Sequence, residues 1–406
     1  MKQGWEIKRL GDVCFIGDGN YSAKYPKASE FVDSGVPFLT ATNLKFGTIV
    51  PEGIRYISKE QHATLKKGHI LKDDLVIVVR GSSTGNNSIV QTEYEGSNLN
   101  SQLAFLRIKK KDLDSKYLFT VFNSPEVQRV VLDTITGSAQ PQLPNNKLLD
   151  ICIPVPPLPE QKRIVAILDK AFTAISKAKA NAEQNLKNAK ELFDVYLHKF
   201  YTNNEAGWEE KKLKEVADYF NGLTYSPKDV SNEGVIVLRS SNVQNDELDF
   251  DDIVRVNLTV KEKIIVQEGD ILMCSRNGSA RLVGKTATIK HLNEKMTFGT
   301  FMMIIRSQYN PYLSWFFKST DFRNQIKGGE NTMINQITRY MLDGIVLSFP
   351  PIEKQNEIVQ KLNALSKEIK KLDTIYNQKI NDLEELKKSI LQKAFSGELK
   401  TAKVIA

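Results

Sequence analysis

Pro156-Pro157-Leu158-Pro159-Glu160-Gln161 opens a run that meets no further glycine or proline until Gly207. Within it the apolar positions are Ile164, Leu168, Phe172, Ile175, Ala182, Leu186, Ala189, Phe193, Tyr196 and Phe200. The steps are three and four, with one of seven, which is a coiled-coil seam sustained over several heptads. Pro350-Pro351-Ile352-Glu353-Lys354-Gln355 opens a second such run, with Ile358, Leu362, Leu365, Ile369, Leu372, Tyr376, Leu383, Leu386 and Ile390. Proline is tolerated at a helix start and holds its neighbours extended, so each double proline fixes where a helix begins. Ser396-Gly397 marks one end, glycine supplying a left-handed cap. At 1.5 Å per residue each helix is roughly 60 Å long. A helix of that length with a narrow apolar seam cannot bury the seam on its own globule. Two of them in one chain pack most economically against each other, antiparallel, with a globular domain at either end. The alternatives are folding back on its own domain or pairing with another chain.

The segments before the two helices repeat each other. Gly4-Trp5-Glu6-Ile7-Lys8-Arg9-Leu10-Gly11-Asp12-Val13 answers to Gly207-Trp208-Glu209-Glu210-Lys211-Lys212-Leu213-Lys214-Glu215-Val216. Gly35-Val36-Pro37-Phe38-Leu39 then matches Gly234-Val235-Ile236-Val237-Leu238, and Asp74-Leu75-Val76-Ile77-Val78-Val79-Arg80 matches Asp270-Ile271-Leu272-Met273-Cys274-Ser275-Arg276. Ala104-Phe105-Leu106-Arg107 pairs with Met303-Ile304-Ile305-Arg306. Copies this long make a tandem pair of domains rather than a solenoid. Short β-branched runs bounded by Gly, Asn, Ser and Pro predict strands and loops before each helix. The fold class is therefore α+β: two pseudo-repeated α/β domains over residues 1–157 and 203–350, separated by two long antiparallel coiled-coil helices over 158–202 and 351–406.

The chain has 406 residues, 41% hydrophobic and 26% charged, enough for two real cores. No apolar stretch approaches bilayer length, and the first residues lack a signal-peptide core, so a cytoplasmic protein without membrane contact is expected. The three cysteines, Cys14, Cys152 and Cys274, are too scattered for zinc or a disulfide framework and read as buried free thiols. A net charge of +8 suits phosphate binding without establishing it.

Taken together these features resemble the specificity subunit of type I restriction–modification enzymes. The resemblance covers essentially the whole chain. It rests on the duplicated order of domain then helix and on four motifs. These are the Gly-Trp opening seen twice, the loop Gly137-Ser138-Ala139-Gln140-Pro141-Gln142-Leu143, the helix start Pro154-Val155-Pro156-Pro157-Leu158-Pro159-Glu160-Gln161, and the helix end Ser389-Ile390-Leu391-Gln392-Lys393-Ala394-Phe395-Ser396-Gly397-Glu398-Leu399. The first helix end, Leu197-His198-Lys199-Phe200-Tyr201, lacks the Ser-Gly-Glu-Leu tail, Glu353 stands where the first copy has Pro159, and the 329–337 loop is looser than its partner. The resemblance implies two target recognition domains, each reading one half of an interrupted site on double-stranded DNA. It also implies docking of two modification (methyltransferase) subunits and, through them, restriction subunits. No cofactor is expected in this chain; S-adenosylmethionine, ATP and Mg would belong to the partners.

Base reading needs directional side chains, with phosphates held by Arg, Lys, amides and hydroxyls. In the first domain the candidates are the loop Arg80, Ser82, Ser83, Thr84, Asn86 and Asn87, the aromatic–basic cluster Tyr21, Ser22 and Lys24, and Thr40, Thr42 and Asn43 after a strand end. In the second they are Arg239, Ser240, Ser241 and Asn242, then Arg276, Asn277, Ser279, Arg281 and Lys285. The bland alternative at each is a solvated loop. The arginine–small–glycine pattern occurs in both copies, which favours it over Tyr21. Gln140-Pro141-Gln142 and Asn331-Thr332 either reach DNA or cap the segment before the prolines.

Catalytic signatures are missing. There is no G-x-G-x-x-G after a strand and no phosphate-cradling G-x-x-x-x-G-K-[ST] loop. Ser348-Phe349-Pro350-Pro351 lacks the final aromatic of an amino-methyltransferase tetrapeptide, and His62, His69, His198 and His291 have no ligand spacing. A non-catalytic DNA-reading subunit is the expectation. The competing readings are a coiled-coil scaffold without DNA and, less favoured, a stand-alone nuclease or methyltransferase.

Overall fold

A computed structural model describes residues 3–21, 24–45, 47–137, 140–202, 206–327 and 335–399. It falls into two compact units, residues 1–181 with 378–406, and residues 182–377.

In the first unit Leu75–Val78 is buried at all four positions, as its unbroken apolar run requires. It lies between Leu103–Ile108 and Asn87–Ile89, and Cys14–Asp18 completes an antiparallel four-stranded sheet. A second sheet runs Asn98–Leu99, Val36–Leu39, Arg55–Ile57, Phe31–Val32, its first pair parallel. Glu6–Arg9 pairs antiparallel with Cys152–Val155, so the Gly-Trp opening is tied to the strand that feeds the double proline. Gly19 is where the chain passes closest to its neighbour: a Cβ there would collide with the Asn100 carbonyl oxygen.

The second unit repeats this topology strand for strand. Asp218–Asn221, Met302–Arg306, Ile271–Cys274 and Thr286–Thr288 form one sheet, and Val230–Ser231, Arg255–Val256, Val235–Leu238 and Met296–Phe298 the other. Glu209–Lys212 pairs with Val346–Phe349. The close approach recurs at Gly222 against Gly299. These are the two α/β domains of the expected fold class.

The long helices are Leu158–Tyr201 and Ile352–Phe395, 44 residues each. Both cores contain pieces of both helices. Ile164, Val165 and Leu168 of the first helix join Leu391 and Ala394 of the second beneath the first domain's sheet. In the second unit Leu197 and Tyr201 join Ile358 and Leu362. The start of one helix thus lies beside the end of the other within each unit, and the pairing is antiparallel. Lys179–Glu384 bridges them at 2.7 Å in the first unit, and Lys190–Asp373 at 2.7 Å in the second. Within each unit the seam is only partly covered. Leu365, Leu372 and Leu386 remain 38%, 36% and 47% exposed, because a two-helix pair covers only one side of each helix.

Candidate nucleic-acid interface

Arg80 follows the buried strand Leu75–Val78 by two residues and is exposed. Its backbone is held from two sides. The amides of Val79 and Arg80 both donate to the Gln102 carbonyl, at 2.8 and 3.3 Å, and the Leu143 amide donates to Val79 O at 2.9 Å. Arg276 occupies the same frame. Ser275 and Arg276 amides donate to Phe301 O at 2.9 and 3.1 Å, and the Ile337 amide to Ser275 O at 2.7 Å. Each arginine also forms an isolated bridge, Arg80 with Gln142 and Arg276 with Gln336. Both guanidiniums therefore project from rigid backbone rather than from a free loop, which limits the entropy lost on binding.

Arg80, Tyr21 and Gln142 line one cleft of about 300 Å³, with Asp18 and Asn145. Asn145 Nδ2 donates to Asp18, while Lys67 donates to both Asp18 and the Tyr21 hydroxyl. Those bonds raise the Lys67 pKa and keep its charge at the rim; Tyr21 is 53% exposed above it. The remainder of the 80–87 loop faces elsewhere. Thr84 Oγ1 donates to Gly81 O and Pro141 O, and is half-buried, as is Ser83. Ser82 and Asn86 are exposed. Asn86 and Asn87 border a second cleft of about 930 Å³, with Lys45, Lys116 and Lys387. The structure thus groups Arg80 with Tyr21 and separates it from Asn86 and Asn87. Lys24 is exposed; Ser22 lies outside the described residues, as do Ser138, Ala139, Asn331 and Thr332.

Several candidates hold the fold instead of presenting to solvent. Asn43 is fully buried; its Oδ1 accepts from the Thr40 amide at 2.9 Å and its Nδ2 donates to Glu52 O at 3.1 Å. Asn242 copies this, accepting from Arg239 N at 2.8 Å and donating to Asp249 O and Asp252 O at 2.9 Å each. Asn87, 8% exposed, exchanges reciprocal amide bonds with Asn123 at 3.0 and 2.8 Å. Lys285 Nζ donates to Val243 O at 2.8 Å. Arg239 is paired with Asp252 at 2.6 Å, and Ser241 is half-buried. Asn277 bonds Ser240 Oγ at 3.2 Å and caps the Ser279 amide at 2.9 Å. Thr42 shares a hydroxyl bond with Thr40 and is exposed, as are Arg276, Ser279 and Arg281.

The family model for the type I restriction modification DNA specificity domain matches the chain twice, over residues 2–186 and 205–385. The chain belongs to that family. Among its relatives, the EcoKI specificity subunit of Escherichia coli K12 is 25% identical over 98% of this chain and 90% of its own length. The MjaVIII specificity subunit of Methanocaldococcus jannaschii is 23% identical over 98% and 94%. Two solved structures share the fold. A chain from a study of complex assembly and conformational transition of the type I R-M system superposes with a TM-score of 0.82 at 19% identity, covering 98% of this chain and 99% of that one. The HsdS subunit from Thermoanaerobacter tengcongensis gives 0.64 at 19% identity, covering 98% of both.

Each family-matched segment carries one arginine frame and one salt bridge that sequence reading passed over. Arg107 grips Asp74, and Arg306 grips Asp270. The signal was present in the repeat, since both residues of both pairs fall in aligned segments. Arg323 was also missed. Half-buried, its guanidinium donates to Val283 O and to Gly284 O, holding the loop that carries Arg281. Among the described residues no group of three His, Cys, Asp or Glu side chains is placed to hold a metal, and no helix is long and apolar enough to cross a membrane.

Proposed function

We propose that the chain reads a two-part interrupted site on double-stranded DNA, one half per domain. It docks two adenine-methyltransferase subunits and, through them, restriction subunits. The observation carrying this reading is the pair of exposed arginines, Arg80 and Arg276, set in identical backbone frames of two duplicated domains. Arginine presents a fork that matches the O6 and N7 acceptors of guanine in the major groove. A fork held by rigid strands reads sequence better than one on a mobile loop. The two copies differ in the side chains around the fork, so the half-sites differ. Tyr21, Ser82, Thr42, Ser279 and Arg281, all exposed, supply further contacts, and Asn43, Asn87, Asn242 and Lys285 hold the loops from within. The partners bring S-adenosylmethionine, ATP and Mg.

The test is a modified-base map of DNA from cells expressing the chain with its modification subunits. Methylated adenines in one interrupted two-part motif, absent when this chain is omitted, support the reading. A continuous motif, or no methylation from an intact complex, overturns it.

A further inference from the structure

The two arginine frames are superposable in their hydrogen bonds yet differ in chemistry at two matched positions. The carbonyl that receives both frame amides belongs to Gln102 in the first domain and to Phe301 in the second. The short helix after the bridging strand is Asn145–Asp150 in the first and Arg339–Asp343 in the second. Its second residue is Asn146 in one domain and Tyr340 in the other. Gln102 and Asn146 are polar. Phe301 is 57% exposed and Tyr340 87% exposed.

A phenylalanine more than half exposed forfeits most of the free energy its burial would give, and the loop geometry does not require it, because Gln102 makes the same backbone bonds. Phe301 is also placed next to the candidate reader: the Arg276 guanidinium lies 5.6 Å from its ring centroid. That contact orients the fork and leaves the ring free beside it.

We propose that Phe301 is a specificity-determining residue of the second domain, reading the 5-methyl group of a thymine adjacent to the base pair contacted by Arg276. The first domain reads its half through hydrogen bonds from Arg80 and Gln102. The inference rests on the DNA-reading function proposed above. Its chemistry is direct: in the major groove the thymine methyl is the apolar feature of an A·T pair, and phenylalanine is among the side chains that contact it.

The experiment uses the complete complex with its modification subunits and duplexes carrying the mapped site. Deoxyuridine replaces thymine in one half or the other, deleting only the methyl group. Burial of one methyl-sized group corresponds to about a fourfold change in affinity. Wild type is expected to lose roughly that factor when thymine is replaced in one half alone. Phe301→Ala should lose a similar factor on thymine DNA and show no further loss with deoxyuridine. Phe301→Leu, still apolar, should regain most of the sensitivity, and Gln102→Ala should leave it intact. A Phe301→Ala complex that still loses about fourfold when deoxyuridine replaces thymine overturns the proposal, as does a half-site without any A·T pair or a wild-type complex insensitive to deoxyuridine in both halves. A complex showing no sequence-dependent binding at all instead overturns the function on which the inference rests.

Discussion

Arg107 grips the buried carboxylate of Asp74 with both arms of its guanidinium, Nε to Oδ1 at 2.9 Å and Nη2 to Oδ2 at 2.7 Å. The same Nη2 reaches His69 O, and Asp74 also accepts from the Leu71 amide at 2.8 Å. Arg306 and Asp270 reproduce every bond, with Ile265 O and the Gln267 amide in the corresponding places. In each domain this pair fastens the turn before the central strand, and that strand leads into Arg80 or Arg276 two residues beyond its end. Asp74→Ala leaves an arginine without its partner and a turn amide without its acceptor. It should destabilise the first domain by about 3 kcal/mol. Hydrogen exchange on the intact chain should show the loss in the 71–80 segment with the 267–276 segment unaffected; equal loss in both would refute the local role.

Arg80→Ala should weaken recognition at one half-site by roughly 1–3 kcal/mol, and Arg276→Ala at the other. Binding of the assembled complex to duplexes mutated in either half reads this out. A uniform loss across both halves would reduce these arginines to phosphate contacts.

Gln161 is fully buried and satisfies three backbone groups, donating to Asp112 O and Pro156 O and accepting from the Asp114 amide, each at 2.8 Å. Among the described residues the Gln355 side chain keeps only the bond to Pro350 O at 2.8 Å; its Oε1 is buried with no partner among them, and the amide of Tyr309 is taken by Ser307 Oγ. Gln161→Leu should therefore cost about 2–3 kcal/mol more than Gln355→Leu. Comparable urea midpoints for the two variants would contradict that ranking.

Burial pushes the Cys14 thiol up to about 12 and raises that of Cys274, while Cys152, against the expectation of three buried thiols, is exposed at the start of its strand. A thiol reagent at pH 8 should modify one cysteine rapidly in the native chain and all three in denaturant. A raised folded-state pKa means stability is intact below the ordinary value of 9.0 and falls as pH climbs from there toward about 12. Cys14→Ala should flatten that decline; an unchanged profile would locate it in other groups.

The repeat, the helix starts and the antiparallel pairing were legible because each is written in period and order: the double prolines, the seam at Ile164–Leu168 and Ile358–Leu362, the twinned Gly-Trp. The correspondence of Arg80 with Arg276 was legible for the same reason; the backbone frame that holds them was not. Burial of single polar residues was not. Asn43 and Asn242 look like reader amides along the chain, yet each turns inward because the 3₁₀ turn it closes leaves amides that nothing else satisfies. Nor does the sequence say that Arg80 and Tyr21 share a cleft, since 59 positions separate them and only the strand pairing brings them together.

The first domain completes its core with Leu391 and Ala394, more than 220 residues beyond Leu168 against which they pack in the same cluster. On the ribosome, where chains lengthen by roughly 5–20 residues per second, Leu168 is made on the order of 10–45 s before Leu391. The second domain draws its helical partners from Leu197 and Tyr201, already made, and from Ile358 and Leu362 just after its last strand. The domain synthesised first is thus the one finished last, and through that interval its apolar floor stands open to chaperones and to misassembly.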